Sequence, residues 1–190
     1  ILETPVIGGN VSLNNYTDKG EIFPTPMIGM IGLRENYENL KSHKINQSDS
    51  VYLIGPNVSP ELGSSIYSEV TGNILSNEIP SINLDIEKYV QDNILKNFDL
   101  IKDIKDVSEG GLGVTLCEMM LYHNKGFRIN LEDNIELELF SESQSRFIAI
   151  VGKENEESFM KNFKFKKKIG KVINTDFIVF YNRDESDFFL

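Results

Sequence analysis

Thr4 to Asn14 read TPVIGGNVSLN, an apolar run delivered into two glycines, an amide and a hydroxyl. Glycines allow positive φ and close backbone approach, so main-chain N–H groups can face an anion. The amide of Asn10 and the hydroxyl of Ser12 suit a metal's shell and a ligand's polar groups. The same types also make a tight turn, with Asn10 tolerating left-handed backbone and Ser12 capping. A second cluster, DVSEGGL from Asp106 to Leu112, reads as a strand end, a glycine pair and a helix start. Helix N-termini hold anions through unsatisfied N–H groups and the dipole, which makes Asp106, Ser108, Gly110 and Gly111 candidates. Ser108 and Glu109 equally fit ordinary capping. A third, FSESQSRF from Phe140 to Phe147, reads as a capped turn entering a strand, with Arg146 in an ion pair. In ELGSSIYSEVTG, Glu61 to Gly72, Gly63, Ser64 and Ser65 line a helix's first turn. That arrangement is open to phosphate and also to plain structure. The sequence shows no Cys/His metal cluster, Ser-His-Asp set or P-loop.

The elements that must position these residues follow from pattern. Strands are expected over Pro5–Leu13 and Met27–Leu33, with loop chemistry at Asn14–Gly20. Two strands alone are marginal in water and call for a larger sheet. Residues 36–49 are polar and read as a short helix or linker at the domain boundary, with His43 at the surface. From Ser50 the pattern alternates: strands at Val51–Ile54, Leu100–Ile104, Phe127–Leu131 and Gln144–Val151, helices at Glu61–Val70, Leu84–Phe98, Leu112–Tyr122 and Glu154–Phe163. Lys168–Ile173 and Phe177–Tyr181 are expected to pair as closing strands. The class is α/β, with mixed α+β layers. The expected domains are 1–35, a linker 36–47, and a main domain 48–190.

The chain has 190 residues, 40% hydrophobic and 25% charged, which is enough to bury a core. A formal net charge of −10 speaks against nonspecific nucleic-acid binding, which needs a basic face. It leaves phosphate-bearing small molecules open, because backbone N–H groups and magnesium can hold them. The one basic run, Lys161 to Lys171, reads as a solvated turn. No apolar run approaches a membrane span and no secretory leader is visible, so a cytoplasmic protein without membrane partners is expected. Cys117, in an apolar helical pattern, reads as a buried structural thiol.

These blocks, with PTPMIGMIGLRE from Pro24 to Glu35, resemble the second half of the phosphoribosylformylglycinamidine synthase family, and they keep that family's order. In the family GNVS followed by PTP-x-IG marks the second of two tandem repeats. The resemblance implies the C-terminal domain of the aminoimidazole ribonucleotide synthetase-like fold, preceded by two strands of an N-terminal-type, ATP-binding domain. It implies ATP contact at Gly9, a magnesium ligand at Asn10 and contact with formylglycinamide ribonucleotide at Ser12. It places Asp106, Ser108, Gly110 and Gly111 at an auxiliary nucleotide pocket. Lys105 stands where many relatives have histidine, so no role of that histidine carries over. The implied reaction is ATP-dependent amidation, with ammonia from a glutaminase subunit and help from a small accessory subunit. The catalytic histidine of the family belongs to the first repeat, so no catalytic residue is expected here, and the chain, starting at Ile1, reads as a piece of a longer enzyme. Two other readings stand beside this one. One is another ATP-dependent superfamily member: aminoimidazole ribonucleotide synthetase, selenophosphate synthetase, thiamine-monophosphate kinase or the hydrogenase maturation protein. The other is a non-catalytic assembly domain.

Overall fold

The computed structural model describes residues 1–11, 14–22, 25–33, 44–57, 61–72, 79–132, 134–182 and 188–189. They divide into two compact units, Leu2–Leu40 and Lys41–Leu190, with Ile1 assigned to the second.

The first unit carries a short antiparallel hairpin, β1 (Tyr16–Thr17) and β2 (Gly20–Glu21). Thr17 Oγ1 donates to the Gly20 carbonyl at 3.1 Å and accepts from the Lys19 N–H at 3.2 Å, which closes the turn. The strands expected over Pro5–Leu13 and Met27–Leu33 do not form: described residues 5–11 and 27–33 join no ladder. Val6, Ile7, Met27, Ile28 and Ile31 are exposed. A strand is held by cross-strand pairs and a buried face, and neither run meets a partner strand among the described residues. The segment read as loop makes the hairpin instead.

The second unit is built on a sheet that is seven-stranded among the described residues. Its strands are β3 (Ser50–Ile54), β4 (Asp103–Asp106), β5 (Gly126–Leu131), β6 (Phe147–Val151), β7 (Lys166–Ile173), β8 (Ile178–Asn182) and β9 (Phe188–Phe189). Their order is β4-β6-β3-β7-β5-β8-β9, antiparallel except for the parallel β5–β8 pair. Helices α1 (Ile66–Thr71), α2 (Leu84–Lys96), α3 (Gly111–His123), α4 (Ile135–Phe140) and α5 (Glu156–Asn162) connect the strands. Successive strand residues face opposite sides. In β6, Ile148 and Ile150 join one apolar cluster with Leu112, Leu116 and Met119 of α3. Ala149 and Val151 join another with Val90 and Ile94 of α2 and Phe159 of α5. The centre of the sheet is therefore buried on both faces, which explains why RFIAIV is nearly continuous in apolar residues. Phe159 is the keystone of the second cluster, 4.7 Å from Tyr52 and 4.2 Å from Phe163 between ring centroids.

Several expectations need correcting. Lys168–Ile173 and Phe177–Tyr181 do not pair with each other, because β5 lies between them. Neighbouring runs suggest a hairpin, but the parallel β5–β8 ladder takes the place. The strand expected at Leu100–Ile104 starts at Asp103, after a 3₁₀ turn over Phe98–Leu100. Helix α4, with Asn134 capping the Leu137 N–H at 3.2 Å, falls where no element was expected. The basic run is not a solvated turn: it supplies the end of α5 and most of β7, inside the sheet. Its charges are accommodated because successive lysines meet carboxylates on opposite faces. Lys167 lies 3.0 Å from Glu132 and Lys168 lies 2.6 Å from Glu156. Glu156 Oε1 also accepts from Ser50 Oγ and the Tyr52 hydroxyl, both at 2.8 Å. The Lys168 bond, helped by these hydroxyls against the cost of burial, holds the Glu156 carboxyl down to about 2. Burial, reinforced by Glu156, pushes the Tyr52 hydroxyl up. Cys117 is half-buried against the first cluster, and burial raises its thiol. His43 lies outside the described residues. Among the described residues no helix is long and apolar enough to cross a membrane.

Candidate functional site

Gly9 and Asn10 lie in the 2–40 unit, exposed and outside any helix or strand. Nothing approaches within 4 Å of a Cβ built on Gly9, so its backbone is open to a ligand. Ser12 lies outside the described residues. The other motif segments all belong to the 41–190 unit, and there the fold brings them together.

The register shows how. Ile54 pairs with Phe147, and Asp106 pairs with the same residue from the other side. The ends of β3 and β4 and the start of β6 therefore lie at one end of the sheet, and the DVSEGG and SESQSR loops meet there. Asp106 and Ser108 are exposed on the rim. Gly110 and Gly111 take left-handed backbone, φ 78° and 71°, and both are buried. A Cβ on Gly111 would sit 2.6 Å from the Leu139 carbonyl oxygen, so the close approach of α3 to α4 needs glycine there. The Gly111 N–H donates to the Ser108 carbonyl at 3.0 Å, tightening the loop onto the helix.

Glu142 joins the segments. Its Oε1 accepts from the Gly110 N–H and from the Ile66 N–H, each at 2.9 Å. Ile66 opens α1 directly after the Gly-Ser-Ser run, so one carboxylate oxygen ties ELGSSI, DVSEGG and FSESQS together. Arg146 holds this loop from below. Its Nε donates to the Ser143 carbonyl at 3.0 Å and its Nη2 to the Ser141 carbonyl. The expected ion pair of Arg146 is not what the described residues show: its partners are carbonyls. Arg146 is 1% exposed, its Nη1 has no hydrogen-bond partner among the described residues, and burial lowers its guanidinium to about 10.

Two adjoining clefts open at this end. One, about 320 Å³, is lined by Asp106, Ser108, Glu109, Glu142, Gln144 and Arg146, among others. The second, about 350 Å³, shares Gln144 and Ser145 and adds Pro56, Asn57 and Asn83. Glu87 of α2 also lines the first and accepts from Ser145 Oγ. Sequence reasoning missed Glu87, because nothing in a helical pattern says which loop its side chain will meet. It also missed His123, whose Nε2 lies 2.6 Å from Asp103 Oδ2. That pair ties the end of α3 to the start of β4, away from the clefts. Lys105 lies 3.3 Å from Glu118, on the flank of α3. A further cleft of about 570 Å³ lies over Leu53, Leu112 and Ile169, with Lys167 between Glu132 and Glu138 at its wall.

Chemically, the motif cleft offers exposed carboxylates at Asp106 and Glu109, the Gln144 amide and hydroxyls of Ser108 and Ser145. A phosphate would meet repulsion there unless a cation came with it. No group of three or more His, Cys, Asp or Glu able to hold a metal is found among the described residues.

A mixed sheet with helices on both faces, closed at one end by glycine loops, defines the class. Residues 46–182 match the family model of the AIR synthase related protein, C-terminal domain, and the chain belongs to that family. Its fold is similar to that of Thermotoga maritima PurL complexed with FGAR, with a TM-score of 0.68 and 19% identity over 80% of this chain and 29% of that one. The same enzyme complexed with ATP gives 0.63 and 16% identity, over 80% and 27%. The hydrogenase maturation protein HypE in complex with ATP gives 0.57 and 15% identity, over 90% and 55%. The chain spans less than a third of the PurL chains it matches.

Proposed function

We propose that this chain is the C-terminal part of a phosphoribosylformylglycinamidine synthase, the ATP-dependent C–N ligase of purine biosynthesis. The observation that carries the reading is the motif series itself: GNVS, PTPMIG, ELGSSIYSEVTG, DVSEGGL and FSESQSR in that order, the last three converging at one end of an AIR synthase-type domain. The likeness to PurL with FGAR supports it. The whole enzyme transfers the γ-phosphoryl group of ATP to the amide oxygen of formylglycinamide ribonucleotide. Ammonia then attacks the activated carbon, phosphate leaves, and the amidine forms.

In this reading the Gly9 backbone contacts ATP, Asn10 supplies one oxygen to magnesium, and Ser12 hydrogen-bonds the ribonucleotide. The residues fit the ion in a limited way: Asn10 is exposed and offers one hard, neutral oxygen, and magnesium commonly takes only one or two protein ligands beside water and phosphate. Magnesium would neutralise charge on the transferring phosphoryl group. Residues 1–35 belong to the ATP-binding domain, 36–47 to a linker and 48–190 to the C-terminal domain of the second repeat. Asp106, Ser108, Gly110 and Gly111 form an auxiliary nucleotide site. The protein works in the cytoplasm with a glutaminase subunit and a small accessory subunit. None of the 190 residues is the catalytic base, and the chain by itself forms no product.

The test is steady-state kinetics of the full-length enzyme, varying magnesium, ATP and ribonucleotide in turn. Asn10→Ala should weaken the magnesium and ATP dependence, and Ser12→Ala should act through the ribonucleotide. An unchanged magnesium and ATP dependence in Asn10→Ala removes the metal assignment. A second reading, another ATP-dependent member of the superfamily, is favoured by the match to HypE with ATP over 90% of this chain. Product formation from formylglycinamide ribonucleotide decides between them.

A further inference from the structure

ELGSSI, DVSEGG and FSESQS are far apart in sequence, and a single atom joins them. Glu142 Oε1 accepts from the Ile66 and Gly110 N–H groups, both at 2.9 Å. Two main-chain donors converging on one oxygen is how loops of this kind hold a ligand's anionic oxygen. Here the oxygen belongs to the chain. The Gly110 donor is aimed by left-handed backbone, φ 78°, at a buried position. The carboxylate is aimed by Arg146, which is 1% exposed and donates to the carbonyls of Ser141 and Ser143, the residues on either side of Glu142. The Ser141 and Ser143 hydroxyls, 2.7 Å apart, close the same turn. A buried guanidinium bound to carbonyls leaves a positive charge beneath the loop, and one of its nitrogens has no partner among the described residues. The two N–H donors on one oxygen favour a carboxylate over a neutral side chain at position 142.

We propose that Glu142 is a positioning residue acting as a built-in anion. It takes the place of a phosphate or carboxylate oxygen, sets the spacing between the ELGSSI and DVSEGG segments, and must be displaced before a phosphate-bearing ligand reaches the Gly110 N–H. The neighbouring carboxylates Glu87, Asp106 and Glu109 line the same cleft and weaken the binding of a free anion without occupying the two N–H groups that Glu142 holds. This goes beyond the auxiliary nucleotide site and does not require it: the contact belongs to the loops whether or not a nucleotide binds.

The experiment titrates inorganic phosphate into the chain and into Glu142→Ala and Glu142→Gln. Melting temperature and the Ile66 and Gly110 amide NMR signals are followed. In the unsubstituted protein neither should respond. Glu142→Ala should melt lower, recover melting temperature with phosphate, shift both amides, and bind phosphate about tenfold more tightly or better, about 1.4 kcal/mol. Glu142→Gln, which keeps an acceptor and loses the charge, should fall between. A phosphate response equal in Glu142→Ala and the unsubstituted chain overturns the proposal. If Glu142→Ala does not fold, Glu142→Gln decides: a larger response than the unsubstituted chain supports the built-in anion, and an equal one overturns it. ATP with magnesium on the unsubstituted chain judges the nucleotide site separately. No nucleotide binding, with phosphate binding by Glu142→Ala, removes that site and leaves the built-in anion standing.

Discussion

The two units use the same kind of residue in opposite ways. In the 41–190 unit, Val51, Leu116, Ile148 and Phe159 vanish from solvent between sheet and helices. In the 2–40 unit, Ile7, Met27, Ile31 and Leu33 are almost fully exposed. Hydropathy alone does not distinguish VYLI from MIGMIGL. The difference lies in what each can pair with: Val51–Ile54 finds a strand on both sides, whereas 27–33 finds none among the described residues. Apolar composition marks a segment for burial, and strand partners decide whether burial happens. The same contrast governs the motifs. Those of the second unit are fixed by a hydrogen-bonded framework, and residues 8–11 of the first are exposed.

The comparison breaks most sharply at the core. Phe159→Ala should cost about 3–5 kcal/mol by denaturant unfolding, because a large buried ring leaves a cavity between Tyr52 and Phe163. A loss below about 1 kcal/mol would show that the second cluster is not the packed core described here. Gly111→Ala comes next. Left-handed backbone costs an L-residue about 1–2 kcal/mol, and the clash with the Leu139 carbonyl adds to it. Its melting temperature should fall, and the Gly110 and Ile66 amide signals should shift with it.

Acid sharpens the comparison further. The Glu156 carboxyl is held down to about 2, below its ordinary value of 4.5. A depressed carboxyl adds stability that is fully present above the unfolded value and is lost as pH falls toward the folded one. Unfolding free energy should therefore drop between about pH 4.5 and 2, and Glu156→Gln should flatten that part of the profile. Glu156→Gln should also cost about 1–2 kcal/mol at neutral pH, since it weakens charge-assisted bonds to Lys168, Tyr52 and Ser50. An acid limb as steep in Glu156→Gln as in the unsubstituted chain would assign it to other carboxyls. The smallest effect belongs to the first unit. Ile31→Ser should change unfolding free energy by no more than about 0.5 kcal/mol, as expected where no packing is lost.

How much was legible in the sequence also follows this line. Strand β3, helix α2 and helix α3 could be read to within a few residues, because periodicity and caps are local. Asn83 also caps α2, accepting from the Asp85 and Ile86 N–H groups, a local signal that the placing of the helix by periodicity did not use. Pairing was not legible. The parallel β5–β8 ladder joins strands separated by two helices and two further strands, and no local rule favours it over a β7–β8 hairpin. Six-residue α4 was too short to show a period. The lysines of β7 read as surface because a sequence does not display the carboxylates of Glu132 and Glu156 that wait on either face. At the site, the residue types of DVSEGG and SESQSR were visible, and Glu142's bridge between Ile66 and Gly110 was not, since it spans 76 and 32 residues.

The most direct test is hydrogen–deuterium exchange read peptide by peptide on the whole chain. The ladders of β3, β6 and β7 tie their amides into a sheet buried on both faces, and 27–33 joins no ladder among the described residues. Amides of 50–54 and 147–151 should therefore exchange only with global unfolding, while those of 5–11 and 27–33 exchange at nearly unprotected rates. Protection of 27–33 equal to that of 147–151 would contradict the account, because that run would then have a strand partner and the two units would not differ as described.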